Sequence, residues 1–350
     1  MNLAGQILGS YHVLEEIGRG RTAIVYRAYQ PSLDRYVAVK VFAPDLAADE
    51  RFVTRVKHEA QLTAKLQHPN IVVIHDVGQE NDLCYVVMEY LQDDTLAEVI
   101  AREGPLPLSR AVSIVEQLAA ALDHAHYTGI IHGDVRPLNI YLGAEDHVTL
   151  TDFYFSRAAA GVEPGQGSAL LSPDELASLA ALADQTVYLS PEQLQGEEIG
   201  YRADLYSLGV VTYELLTGRR PSTGGAGYGT GEIQQDDSIQ RTSGLASGLP
   251  RAVEQILQRA LSRSPSERWP SAGAMAGALQ QARDAQESKL KPQPLSLFAE
   301  PIVKEEPPPE TAPDSRRLVP AIAPRIWIVL VGLLVLGLAV AALIFVLQLG

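Results

Sequence analysis

The 350-residue sequence predicts an α+β fold of two unequal lobes, a small β-rich one and then a larger helical one with a cleft between, followed by an apolar helix near the C-terminal end. Three observations carry this. Short β-type runs crowd residues 11–42, helical spacing dominates from Leu108 onward, and residues 326–349 read IWIVLVGLLVLGLAVAALIFVLQL, with Gln348 the only strongly polar side chain. At about 1.5 Å per residue that last run forms a helix about 36 Å long, enough to cross a bilayer. It also explains the composition: a mean hydropathy of +0.01 averages this span with a polar remainder that carries all of the net charge of -14.

Taken in order, YHVLEEIG, AIVYRAY and YVAVKVF between residues 11 and 42 are separated by turns containing Gly or Pro and predict an antiparallel sheet. Residues 49–66 place Phe52, Val56, Ala60 and Leu62 at helical spacing, with Arg55-Val56-Lys57-His58 supplying a solvated face. Two further strand-like runs cover 71–77 and 83–90. Residues 108–128 are helical and rich in Ala and Leu, and helical patterns recur near 203–217, 250–262 and 271–286. The Gly-rich stretch from Ser222 predicts a mobile loop, and nine prolines in the 33 residues 292–324 predict a stiff, extended linker. No period of 20 to 50 residues is present. The expected domains are therefore 11–286, a Pro-rich linker over 287–325 and a membrane span over 326–349.

Composition excludes several classes. A single cysteine, Cys84, in a Val-Met-rich run rules out a disulfide scaffold and a Cys-rich zinc site and reads as a reduced core thiol. The acidic balance excludes a general nucleic-acid binder. MNLAGQILGSYH has neither the basic n-region nor the apolar length of a secretory signal. His12, His58, His75, His124, His126 and His147 lack metal-like spacing with carboxylates or Cys84.

Chemistry concentrates in four places. Gly18-Arg-Gly20-Arg-Thr-Ala-Ile-Val25 lies between two strand-like runs, where small residues let backbone N–H groups approach a phosphate. Lys40 ends the apolar run Val37-Ala38-Val39 and supplies a fixed cation, with Glu59 on the next helix as the carboxylate to orient it. Downstream, His132-Gly-Asp134-Val-Arg136-Pro-Leu-Asn139 and Thr151-Asp152-Phe153 supply a base, a neutral metal ligand and a second carboxylate. This is equipment for Mg²⁺-assisted phosphoryl transfer.

In register with these lie HPNIV (68–72), VMEY (87–90), SPE (190–192), DLYSLG (204–209) and PSERW (265–269). Over about residues 11–282 the chain thus resembles a bacterial member of the eukaryotic-like Ser/Thr protein kinase family. The resemblance implies a bilobal kinase fold, ATP and Mg²⁺ as cofactors, and protein substrates. It implies that Lys40 and Glu59 form an ion pair on the nucleotide phosphates beneath Gly18 and Gly20. Val25, Ala38 and Tyr141 would sandwich the adenine, Glu89 and Leu91 would offer backbone hydrogen bonds to it, and Met88 would stand behind it. Asp134, with Arg136 beside it, would orient or deprotonate the substrate hydroxyl, while Asn139 and Asp152 would hold Mg²⁺. Glu192 with Arg268, and Asp204 beneath the catalytic loop, would be structural ties, and His132 would pack beneath Phe153.

Four departures stand against the family pattern. Gly133 replaces the arginine beside the catalytic aspartate, which removes an Arg-phosphate switch. Arg136 stands for a lysine and Gln185 for the threonine it meets, so both sides of one contact change together. Tyr154 replaces the glycine after Asp-Phe. The 41 residues from Asp152 to Glu192 include an insert whose Ser172, Pro173 and Glu175 form a capping box, predicting a short helix there, either a surface insertion or a cover over the cleft.

A small-molecule phosphotransferase would share the His-Gly-Asp and Asn spacing but not SPE, DLYSLG or PSERW. The remaining alternative is a pseudokinase, a nucleotide-binding scaffold with weak or no transfer. Arg316, Arg317 and Arg325 precede the apolar span and Trp327 fits an interfacial anchor, so the positive-inside rule places the kinase domain in the cytoplasm on a single-pass cell-membrane protein. Only Gly350 follows Leu349, so the expectation is a tail anchor with no sensor beyond it. Gly332 and Gly337 are too far apart for a GxxxG pair.

Overall fold

Alternation along the strands decides which side chains reach the cleft. A computed structural model describes residues 2–20, 22–153, 186–221 and 249–290. The chain divides into two units, Met1–Gln293 and Pro294–Gly350, and only the first contains described residues. In the smaller lobe β1 (Ile7–Leu8), β2 (Tyr11–Arg19), β3 (Ala23–Gln30), β4 (Arg35–Phe42), β5 (Ile74–Glu80) and β6 (Leu83–Glu89) form one antiparallel sheet in the order β1-β2-β3-β4-β6-β5. On β4, Val37, Val39 and Val41 pack with Leu3, Leu8, Tyr11 and Tyr26 on one face. Ala38 and Phe42 pack with Phe52, Val56 and Met88 on the other. Lys40 alternates with the valines and therefore belongs to the second face, toward the cleft.

Helix α1 (Pro44–Ala47) leads into α2 (Glu50–Thr63), whose Asp49 side chain accepts the Arg51 N–H at the N-cap. Phe52, Val56 and Glu59 share its inner side, which is how a carboxylate comes to be buried beneath the sheet. Arg55 corrects the sequence reading. It is buried rather than part of a solvated face, because α2 is enclosed on more than its apolar stripe.

The larger lobe has one core. It holds α3 (Leu96–Glu103), α4 (Leu108–Tyr127), the three-stranded sheet β7 (Asp94–Thr95), β8 (Ile140–Leu142), β9 (Val148–Leu150), then α5 (Pro191–Gln195), α6 (Arg202–Thr217), α7 (Arg251–Ala260) and α8 (Ala272–Leu290). Helix α6 is buried at every position from Ala203 to Leu216, so the other helices are arranged around it. Asp123 of α4 caps α8, accepting the Ala272 and Gly273 N–H groups at 2.9 Å each. Helix α8 runs to Leu290, beyond residue 286, where the sequence reading ends the domain.

The lobes are stitched through residues 70–72. Leu150 N–H donates to Asn70 O at 2.9 Å, Val72 N–H to Leu150 O at 3.0 Å, and Asn70 Nδ2 to Val148 O at 2.7 Å. This parallel bridge consumes the start of the run expected as a strand from 71, and β5 begins at Ile74 instead. Tyr154, Gln185, the insert helix near 172, the loop from 222, and everything expected of 291–350, the membrane span included, lie outside the described residues. Among the described residues no helix is long and apolar enough to cross a membrane.

Candidate active site

A slot opens between the lobes, lined by Ile17, Val25, Ala38, Val72, Met88, Glu89, Tyr90, Leu91, Tyr141, Thr151 and Asp152. Sheet register builds its roof: Val25 pairs with Lys40 across β3 and β4, and Ala38 with Met88 across β4 and β6. Tyr141 enters from β8, paired with Thr95 and Thr149. Seven of the expected residues, Val25, Ala38, Met88, Glu89, Leu91, Tyr141 and Asp152, thus line one slot. Ile17, Val72, Tyr90 and Thr151 were missed as individual residues. Each adjoins or lies within a motif that was read: the glycine loop, HPNIV, VMEY and the Thr-Asp-Phe run.

Gly18 pairs with Val25 just after the second register shift of β2, and Gly20 N–H donates to Ala23 O at 2.9 Å. A Cβ on Gly18 or Gly20 would meet nothing closer than 3.8 Å and 3.5 Å respectively, and neither residue has a positive φ. The fold itself does not require glycine at these positions, whereas close approach by a ligand would.

Lys40 Nζ reaches Asp152 Oδ1 at 2.8 Å, with the lysine side chain 12% exposed. Glu59 is buried on α2 at 2% exposure; its pairing with Lys40 remains an implication of the resemblance. Burial pushes the Asp152 carboxyl up, but the Lys40 ammonium and its hydrogen bond, helped by His132 and Arg136, outweigh that and hold it below the usual carboxylate range. Asp152 has φ 64, a left-handed conformation costly for any residue but glycine, and such strain clusters at functional sites.

Asp134 lies on a loop fixed from behind. Asp204, in the first turn of α6, accepts Gly133 N–H at 2.7 Å, His132 N–H at 2.8 Å and a contact from His126 Nε2 at 2.7 Å. Burial raises the Asp204 carboxyl, yet His126, His132 and the Gly133 N–H prevail and leave it lowered. His132 stacks against Phe153 with ring centroids 4.4 Å apart, and its Nε2 lies 2.8 Å from Thr151 O. Gly133 has φ 77, so this loop needs a residue without a Cβ or must bear strain. Asn139 Nδ2 donates to Asp134 O at 2.8 Å and Asp134 Oδ2 at 3.0 Å, which leaves the amide oxygen as its acceptor atom. Arg136 Nε lies 3.4 Å from Asp134 Oδ2, in ion-pair range. Burial raises the Asp134 carboxyl above its ordinary value, against the opposing pull of Arg136, His132 and Asn139.

Glu192 and Arg268 form a bidentate pair at 2.6 and 2.7 Å, with the arginine fully enclosed and also donating to the Ser262, Arg202 and Arg263 carbonyls. Cys84 is buried, and burial raises its thiol to about 11, an inert core position.

Comparison with known proteins agrees with this arrangement. The family model described as "Protein kinase domain" matches residues 11–280. The serine/threonine-protein kinase PrkC of Bacillus subtilis is 35% identical over 285 residues, 81% of this chain and 42% of its own length. PknB of Mycobacterium tuberculosis is 35% identical over 279 residues, 79% of this chain and 43% of its own. The crystal structure of the Mycobacterium tuberculosis PknI kinase domain superposes with a TM-score of 0.60 at 26% identity, covering 81% of this chain and all of that one. The chain spans only about two fifths of the length of the curated relatives it matches. On the match over residues 11–280, the chain belongs to the protein kinase domain family.

Proposed function

We propose that this chain is an ATP-dependent Ser/Thr protein kinase acting in signal transduction. The observation that carries the reading is the pairing of opposites at the inner end of the slot. Lys40 lowers the proton affinity of Asp152, while burial raises that of Asp134, which is bonded to Asn139. Two carboxyls with divergent proton affinities suit a metal ligand and a base.

The residues fit the nucleotide and its metal. Ile17, Val25, Ala38 and Tyr141 offer apolar faces to a purine, and Gly18 and Gly20 leave room for phosphate. The Asp152 carboxylate and the Asn139 amide oxygen are hard oxygen donors of the kind Mg²⁺ takes. A bound Mg²⁺ would neutralise phosphate charge. Lys40 holds Asp152 in place, Asn139 fixes the Asp134 carboxylate, and Asp134 accepts the proton of a substrate hydroxyl, with Arg136 contributing a positive charge beside it. Gly133 removes the cation that would read a phosphorylated activation segment, so the site is expected to work without that switch. Retention of Lys40, Asp134, Asn139 and Asp152 favours a kinase over a scaffold.

We further propose that residues 326–349 anchor the protein in the cell membrane with the kinase lobes on the cytoplasmic side; the uncharged span and the three arginines before it support this. The full chain, incubated with labelled ATP, Mg²⁺ and a generic protein substrate, should transfer label to Ser or Thr, and Asp134→Asn should not. Indistinguishable rates for the two would discard the enzyme. Extraction of the protein from membranes by high salt would discard the anchor.

A further inference from the structure

Helix α5 begins with a capping box that does more than cap. Ser190 is fully buried, and the Gln193 side-chain oxygen accepts the Ser190 N–H at 2.9 Å and lies 3.0 Å from Ser190 Oγ. Any capping box contains this half. The amide nitrogen of the same side chain turns the other way and donates to Gly133 O at 2.9 Å, 60 residues back in the chain. Gly133 is the residue immediately before Asp134, and its own N–H is already held by Asp204. Gln193 therefore holds the Gly133 carbonyl where Asp204 holds its N–H, and ties the catalytic loop to residues 186–190, whose Tyr188 is anchored on α6 through the Ser207 hydroxyl and Glu214.

We propose that Gln193 is a positioning residue for phosphoryl transfer: it locks the Gly133 peptide, and so Asp134, to the segment that precedes α5. The proposal rests on the kinase reading above. A side-chain amide is suited to the task because it presents an acceptor to Ser190 and a donor to Gly133 at once. Gly133 makes the tie necessary. With no Cβ and a left-handed φ, Gly133 has more alternative conformations than any other residue would allow; Asp204 holds its N–H, and Gln193 holds its carbonyl in the peptide whose N–H, that of Asp134, donates to His132 Nδ1 at 3.1 Å. The tie requires no added phosphate, so it joins the two segments without the arginine this chain lacks.

Substitution by glutamate separates the two halves. Gln193→Glu keeps an acceptor for Ser190 N–H, and a negative charge at a helix N-terminus is favourable, so the cap survives. It removes the donor and sets a carboxylate oxygen against Gly133 O. The expected result for the full chain is a kcat for protein phosphorylation lowered about tenfold, with KM for ATP unchanged and Tm lowered less than in Gln193→Ala. Gln193→Ala should lower both kcat and Tm, since it removes the cap as well. A Gln193→Glu rate equal to wild type, or a loss of rate with Tm lowered as far as in Gln193→Ala, overturns the tie while leaving the kinase reading intact. Absence of transfer by the wild-type chain overturns both.

Discussion

The nucleotide slot and the catalytic loop, joined where Thr151 N–H donates to Asn139 O at 2.8 Å, are built on opposite principles. The slot is made by strand register: Val25, Ala38 and Met88 arrive at its surface because β3, β4 and β6 alternate, and their contacts are apolar and non-directional. The loop is made by polar side chains satisfying backbone groups from distant elements, with Asp204 taking the His132 and Gly133 N–H groups, Gln193 taking Gly133 O, and Asn139 taking Asp134. Apolar burial tolerates exchange of similar volumes, whereas a buried hydrogen-bond lattice loses several partners when one member goes. Binding should therefore degrade gradually under mutation and transfer abruptly.

The largest effect is expected at Asp204. Asp204→Ala leaves two buried N–H groups and the His126 ring without their acceptor, costing about 3 kcal/mol or more and lowering Tm by many degrees. A thermal melt close to wild type would remove Asp204 from the centre of the lattice. Next comes Lys40→Met, which takes away the cation holding Asp152 ionised. Transfer should fall by about 10² or more, with the fold kept, because a preorganised charge is lost. Burial would then act on Asp152 unopposed by that cation, and the residual rate should decline at higher pH than the wild-type rate does.

The pH profile separates the two carboxyls directly. A base must be ionised, and burial raises Asp134, so transfer should fall on acidification at a pH above that where an ordinary aspartate titrates. A profile flat down to the ordinary range would deny Asp134 that role. The shift runs the other way at Asp204, and there it bears on stability. Its folded-state proton affinity is lowered, so its contribution is present above the unfolded value and is lost as pH falls through the folded one. Smallest is the slot: Tyr141→Leu should raise KM for ATP about fivefold through lost ring stacking and leave kcat unchanged. A fall in kcat there would blur the contrast between slot and loop.

How much of this could be read in the chain depended on whether the cause was local. Lys40 was legible because one alternating run, Val37-Ala38-Val39-Lys40, sets its face, and the long helices were legible from their spacing. Helix α3 was not anticipated although its capping box, Thr95 with Glu98, is written in the sequence; eight residues hold too little period to stand out. Strands β7, β8 and β9, of two or three residues each, hold none. Asp204 could be assigned only as a tie by resemblance, since its donors lie more than 70 residues away and two are backbone N–H groups without identity in sequence. The second grip, Gln193 on Gly133, left no signal for the same reason. Arg55 was misread because charge on a helix argues for solvent unless tertiary packing encloses it.

Binding and transfer thus reside in separately built halves of one cleft. Asp134→Asn tests it most directly, because asparagine preserves the side chain's size and its place beside Asn139 while removing the base. Measured by calorimetry, MgATP should bind this variant with the affinity of the wild-type chain, while transfer of label to protein falls by at least about 10³. Loss of nucleotide affinity in parallel with transfer, or transfer that survives the substitution, would contradict it.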